Sequence, residues 1–393
     1  MRIKSCTIYA LRIPFLEAFA HSAKRRSASD SIVVRVEAAG GATGYGEGLA
    51  REYVTGETVE TSIAHIREVL WPAIASTEHE ELKAEADPLC ALARLDESLP
   101  DQSGEGVVAF NAARSAVEVA LIDCLLRHQK ISLAEILPPR RSSITYGGVI
   151  SSGSIESSVR RARQYRLFGI DDVKIKIKDR EDAALRVRAV RETLHSGARL
   201  RVDANGAFDT EGAEATALEL APLGIEAFEQ PVARRLGPGA LRQVREHSSI
   251  PVMADESLVT IQDARSLIEA RACDYFNLRI SKCGGIARTL RMARMAERAG
   301  LRIQLGSQVG ETAILSAAGR HLAAHLEKVE FVEGSYGKLL LTEDLSRDPV
   351  NFGYGGRAPI LRGAGLGVSV RQDVLERYAH QLIQLVKDQK SHV

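Results

Sequence analysis

Three acidic residues stand out by type and spacing. Asp203, Glu229 and Asp255 follow one another at intervals of about 26 residues, and each ends a short apolar run: LRVDAN, IEAFEQP and PVMADES. One interval upstream lies KIKIK, with Lys174, Lys176 and Lys178 at every second position. That spacing puts the three lysines on one face of a strand. Carboxylates brought together repel unless a cation neutralises them. Oxygen donors with no His or Cys beside them suit Mg²⁺ rather than zinc. Lysines side by side lower one another's pKa, which a lysine general base near neutral pH requires. Lys176, at the strand end, is the expected base. Lys174 lies one layer deeper as its electrostatic partner, and Lys178 falls in the following loop. A divalent cation opposite a lysine suits removal of the α-proton of a carboxylate, because positive charge stabilises the dianionic enolate. The alternatives are three unrelated acids that cap helices or form salt bridges, and a solvated cationic edge strand.

The elements that position these residues follow from the pattern. Eight apolar runs recur: SSITYGGVI, VKIKIK, LRVDAN, IEAFEQP, PVMADES, YFNLRIS, RIQLGSQ and VEFVEGS. Helical patterns separate them. Ala183, Val187, Val190 and Leu194 make one apolar stripe, Ser196-Gly197 stops it, and a strand begins at Leu200. Alternation of this kind implies parallel strands with right-handed crossovers. A closed barrel with its chemistry at the C-terminal strand ends accommodates all eight. An open doubly wound sheet is disfavoured, because no GxGxxG or GxxxxGK[ST] occurs. Before residue 140 the chain reads as an α+β module. It has a strand over 31–37, a turn-rich stretch over 40–48 and a buried helix over 111–124.

Composition narrows the classes. The 393 residues hold 52 Lys+Arg against 51 Asp+Glu, a net charge of +1, which gives no global pull toward nucleic acid or an anionic membrane. The five cysteines Cys6, Cys90, Cys124, Cys273 and Cys283 are widely spaced with no CxxC, which disfavours a disulfide framework or a thiolate zinc site. The N-terminus is a poor secretory signal, and no run of about 18 apolar residues reads as a membrane span. A cytoplasmic location is the expectation.

The ordered set KIK (174–176), VDAN (202–205), FEQP (228–231), MADES (253–257) and SKCGG (281–285) resembles the muconate-lactonizing-enzyme (muconate cycloisomerase) subgroup of the enolase superfamily. That superfamily uses a Lys or His base with Mg²⁺. The resemblance spans nearly the whole chain. GYGEG (44–48) is similar to the family's N-terminal capping domain, and RGAGLGVSV (362–370) to its C-terminal return to that cap. It implies an α/β fold: a modified TIM barrel, (β/α)₇β, with an α+β N-terminal capping domain. The expected divisions are 1–140 for the cap, 141–360 for the barrel and 361–393 for the returning segment. It implies that Asp203, Glu229 and Asp255 bind Mg²⁺, that Lys176 assisted by Lys174 carries acid/base chemistry, and that Asn205 and Glu256 support the metal rim. The mandelate-racemase subgroup has a His on the seventh strand. RIQLGSQ (302–308) has none.

One departure concerns the sixth strand. Many subgroup members carry a second lysine there; the matching residue is Arg279, and Lys282 matches a separate lysine nearer the loop. Arginine is a poor proton acceptor but holds a carboxylate or enolate well. That favours one-base chemistry, cycloisomerisation or a dehydratase-type β-elimination, over an amino-acid or dipeptide epimerase or racemase. A non-catalytic carboxylate-binding protein with a retained metal site is the rival from another class. Glu333, ending the eighth strand, is a substrate contact or a rim salt bridge. His21, Lys24, Arg25 and Arg26 fall where the family's lid loop lies, and Tyr53 and Thr55 in a second lid segment; His21 and Tyr53 are candidate substrate contacts. His321 and His325 are read as structural. The expected partner is a small carboxylate, with no nucleic acid and no membrane, in a homo-oligomer.

Overall fold

The computed structural model describes residues 1–20, 25–102, 108–348 and 350–387. His21 and Lys24 lie outside the described residues, as does the Arg25 side chain. Among the described residues no helix is long and apolar enough to cross a membrane.

The N-terminal part is built on a four-stranded antiparallel sheet. Its spatial order is Ala379–Val386, Ile3–Leu11, Ile32–Ala38 and Thr43–Gly48, so a strand from the C-terminal end forms one edge. The helix Asn111–Gln129 packs on this sheet and is buried over nearly its whole length. The reason lies in TGYGEG, where glycines at every second position share one face. A methyl at Gly44 would meet Cys124 N at 2.2 Å, one at Gly46 would meet Ala116 O at 2.1 Å, and one at Gly48 would meet Ala112 O at 2.0 Å. Ala112, Ala116 and Ala120 face them at the helical spacing of four. Backbone therefore lies directly on backbone.

Two buried glutamates join this layer to the barrel by capping barrel helices. Glu118 accepts from Ile286 N at 2.6 Å and Ala287 N at 2.9 Å, where the helix Ile286–Arg298 begins. Glu47 accepts from Thr312 N at 3.0 Å and Leu315 N at 3.2 Å, at the start of Ala313–His325. Each supplies acceptor oxygens where the first N–H groups of a helix lack partners.

Eight parallel strands form the second sheet. In order they are Gly148–Ile150, Asp172–Lys176, Arg199–Asp203, Ile225–Glu229, Val252–Ala254, Tyr275–Leu278, Arg302–Leu305 and Val329–Val332. Seven connections carry helices, giving the (β/α)₇β order. Gly147 N donates to Val332 O at 2.9 Å and links the two edges of the sheet. The helix Arg180–Thr193 buries Ala183, Val187 and Val190, the stripe its sequence indicates. The first run differs from expectation. Only Gly148–Ile150 enters the barrel, whereas Ser143–Thr145 pairs antiparallel with Arg357–Pro359. Tyr146 N donates to Gly356 O at 2.8 Å, and the adjacent Gly147-Gly148 pair separates the two pieces.

In register, Lys176 lies beside Asp203, Asp203 beside Glu229, and Glu229 beside Met253. The strand pleat thus turns Lys174 and Lys176, and likewise Arg201 and Asp203, to one face.

Gly46→Ala should lower unfolding free energy by at least about 2 kcal/mol in denaturant titration, because neither backbone can yield. A second expectation concerns pH. Burial, then the charge of Asp96, push the Glu118 carboxyl up from 4.5 to about 7. Between those values the folded chain holds a proton that the unfolded chain has lost, so this group's contribution falls as pH rises. The Glu118→Gln protein should therefore lose less stability than the parent between about pH 5 and about pH 7.5, by the same titration.

Candidate active site

The strand ends converge on one cavity of about 670 Å³, lined by Lys174, Lys176, Asn205, Glu256, Arg279 and Glu333 among others. Lys174 is 2% exposed and Lys176 7% exposed. Lys174 Nζ lies 3.1 Å from Glu229 Oε2, 3.0 Å from Glu333 Oε2 and 3.6 Å from Asp203 Oδ2. Lys176 Nζ donates to Asp203 Oδ2 at 3.1 Å and Asn205 Oδ1 at 2.7 Å. Lys174 does not behave as a member of a mutually repelling row. Burial alone would depress the Lys174 ammonium, but the carboxylates of Glu229, Glu333 and Asp203 outweigh it and hold it above the ordinary lysine range.

The three acids at successive strand ends are fully buried. Glu229 also accepts from Asn277 Nδ2 at 2.7 Å and Gln304 Nε2 at 3.2 Å. Asp255 accepts from Lys282 Nζ at 2.7 Å, and Lys282 donates further to the carbonyls of Asp255 and Asn277. Arg279 bonds Asp255 Oδ2 and lies 3.5 Å from Glu229 Oε1. Burial and the charge of Asp203 push Glu229 up to about 7. In Asp203, the ammonium groups of Lys176 and Lys174 overcome the cost of burial and hold the carboxyl well below the usual range.

Asn205 joins the acids to the rim. Its backbone N–H donates to Asp203 Oδ1 at 3.0 Å and its Nδ2 to Glu256 Oε1 at 3.0 Å. The turn that allows this is left-handed at Asn205, with φ 47°, and the same strain recurs at Gln230 (φ 38°) and Ser335 (φ 57°), each just past a strand end. Burial, with Asp255 and Asp203 nearby, pushes Glu256 up to about 8.

Among the described residues, no three His, Cys, Asp or Glu side chains are grouped as a ready-made metal cage. The donor chemistry nevertheless fits a hard divalent ion. Asp203, Glu229 and Asp255 offer only carboxylate oxygens, and Glu256 Oε2 is buried without a partner beside them. An ion on Asp255 would compete with Arg279 for the same oxygen.

The residues singled out in the sequence thus come together, with three qualifications. Glu333 has both oxygens engaged, by Lys174 and by Arg201 NH1 at 3.0 Å. Tyr53 stands at the mouth, 41% exposed. His21 is outside the described residues. Arg201, Asn277 and Gln304 escaped notice in the sequence. Arg201 had a signal, for it stands two residues before Asp203, as Lys174 stands two before Lys176.

Two family models match the chain: the mandelate racemase / muconate lactonizing enzyme N-terminal domain over residues 7–138, and the enolase C-terminal domain-like family over residues 157–374. The chain is 29% identical to the N-succinyl-L-Arg/Lys racemase of Bacillus cereus, over 96% of this chain and 97% of that one. It is 32% identical to the chloromuconate cycloisomerase of Cupriavidus pinatubonensis, over 68% of this chain and 73% of that one. The crystal structure of a dipeptide epimerase from Cytophaga hutchinsonii, complexed with Mg and the dipeptide D-Ala-L-Val, superposes with TM-score 0.85 at 26% identity, covering 98% of this chain and 100% of that one. The chain belongs to the enolase superfamily of enzymes, in the branch that carries the mandelate racemase / muconate lactonizing enzyme capping domain.

Proposed function

We propose that the protein removes the α-proton of a small carboxylate to give an enolate, and that the outcome is racemisation or epimerisation of an N-acylated amino acid or a dipeptide. The observation that carries the proton removal is the placement of Lys176 in one cavity with Arg279 opposite it; the relatives named racemase and epimerase carry the outcome. Lys176 and Arg279 line the cavity from the second and sixth strands, with the strands of Asp203, Glu229 and Asp255 between them. Asp203, Glu229 and Asp255 would hold Mg²⁺. When bound, the ion supplies positive charge to the substrate carboxylate as the proton leaves.

The chain's own groups divide the remaining work. Lys176 takes the proton at Nζ, and Asn205 Oδ1 at 2.7 Å orients that atom. Lys174, pinned by Glu229 and Glu333, keeps a fixed positive charge one layer below. Arg279 supplies hydrogen bonds and charge from the far side; inversion there takes its proton from a solvent water, and the hydroxide left is neutralised by the proton that Lys176 took. Farther out the wall is basic. Arg160 and Arg161 project from the helix Ile155–Phe168, which suits an anionic outer end of the substrate. The relatives named racemase and epimerase support this outcome over the cycloisomerase or dehydratase that the sequence favours.

Arg279 favours that second reading. A guanidinium held protonated by Asp255 and Glu229 cannot accept a proton on its face, so chemistry that needs one base remains the alternative.

The experiment is deuterium exchange in D₂O with Mg²⁺, on both stereoisomers of a panel of N-acylamino acids and dipeptides, followed by mass spectrometry and chiral analysis. Exchange with inversion from both isomers is expected; exchange from one isomer without inversion selects the one-base reading. Lys176→Ala should slow exchange by about 10³-fold, and full turnover in that variant would overturn the role given to Lys176. Asp203→Asn should weaken Mg²⁺ binding at least tenfold by calorimetry, an outcome independent of any substrate.

A further inference from the structure

Gln308 stands just past the seventh barrel strand and lines the same cavity. Its backbone is firmly held. Gln308 N donates to Glu311 Oε1 at 2.7 Å, Arg51 NH2 donates to Val309 O at 2.8 Å, and Ser29 Oγ donates to Gly310 O at 2.8 Å. The residue is only 5% exposed. Yet neither Nε2 nor Oε1 has a hydrogen-bond partner among the described residues. A buried carboxamide with both ends unspent is costly, and the cost is recovered when a ligand supplies a donor and an acceptor together.

That requirement discriminates among chemical groups. A second carboxylate offers acceptors only and would face Oε1 with like charge. An ammonium offers donors only. An extended residue of an N-acylated amino acid or peptide presents its N–H and its C=O on one edge, the way strands pair, and satisfies both ends. Gln308 takes no part in the cluster of acids and cations at the strand ends, so its unspent atoms are not explained by metal binding.

We propose that Gln308 is a specificity-determining residue that reads this amide edge, with Oε1 accepting from the substrate N–H and Nε2 donating to its carbonyl or carboxyl oxygen. The assignment rests on the proposed function, since it concerns the substrate of the same cavity.

The test compares N-acetylamino acids with the matching O-acetyl-2-hydroxy acids, which keep shape and carbonyl but replace N–H by oxygen. Binding to the Mg²⁺-loaded parent and to Gln308→Leu is measured by calorimetry, and α-proton exchange is followed in the same mixtures. The parent should prefer the amide at least tenfold. In Gln308→Leu the two affinities should approach each other within about threefold. The comparison is made within each protein, so a loss of folded fraction cancels. A preference unchanged in the variant, no preference in the parent, or binding of neither form overturns the assignment. Exchange without amide preference would sink the role of Gln308 alone. Amide preference without exchange on any substrate would sink the enolate reading alone.

Discussion

Lys174 is buried beneath the barrel mouth with its ammonium held by Glu229 and Glu333, and the architecture around it depends on that arrangement. A charge removed from water costs several kcal/mol unless it is paired and fully hydrogen-bonded. Here the pairing crosses the barrel, since Glu229 ends the fourth strand and Glu333 follows the eighth. Arg201 extends it, bonding Glu333 at 3.0 Å and Asp172 at 2.8 Å while its guanidinium covers the Phe331 ring at 4.2 Å. The charges therefore hold the strands that hold the charges. Removing one partner leaves the rest uncompensated, so a substitution meant to probe chemistry also disturbs the closure of the sheet.

The same interlocking explains what could be read before any coordinates. Lys176, Asp203, Glu229 and Asp255 each sit at the end of an apolar run on a shared period, and a strand's alternation fixes which neighbours face inward. Residues whose importance comes from that alternation, such as Lys174, were legible; Arg201 obeys the same rule. Asn277 and Gln304 also lie inside strands, but amides carry no charge and give no pattern, so only their hydrogen bonds to Glu229 reveal them. Gln308 is harder still. Its distinction is a lack of partners, and a sequence does not show which polar atoms go unpaired. The lysine row misleads in another way. Spacing suggests mutual repulsion, whereas the facing carboxylates, which come from distant strands, decide the outcome for Lys174. The split of the first apolar run likewise depends on a partner, Arg357–Pro359, far along the chain.

The cap is mounted by different means. Glycines at alternate positions let one strand lie directly on the helix Asn111–Gln129, and Glu118 and Glu47 reach from that layer to the starts of two barrel helices. Asp123 on the same helix accepts from Tyr45 N at 3.0 Å and from Leu366 N at 2.8 Å, binding the returning segment as well. The cap is thus fixed by backbone contact and buried carboxylates. A separate antiparallel pair, Pro14–Ala20 and Arg25–Ala28, carries Leu16 and Arg26 to the cavity.

The pairing of Ile3–Leu11 with Ala379–Val386 also bears on how the molecule is made. A growing polypeptide exposes the first of these strands early, but its partner emerges only after all eight staves of the barrel have been synthesised. Until then one border of the N-terminal sheet has no mate, and contacts so distant along the chain form slowly. Three strands of that sheet and the helix beneath them precede the barrel along the chain, so the border beside Ile3–Leu11 is the part of the layer that closes last.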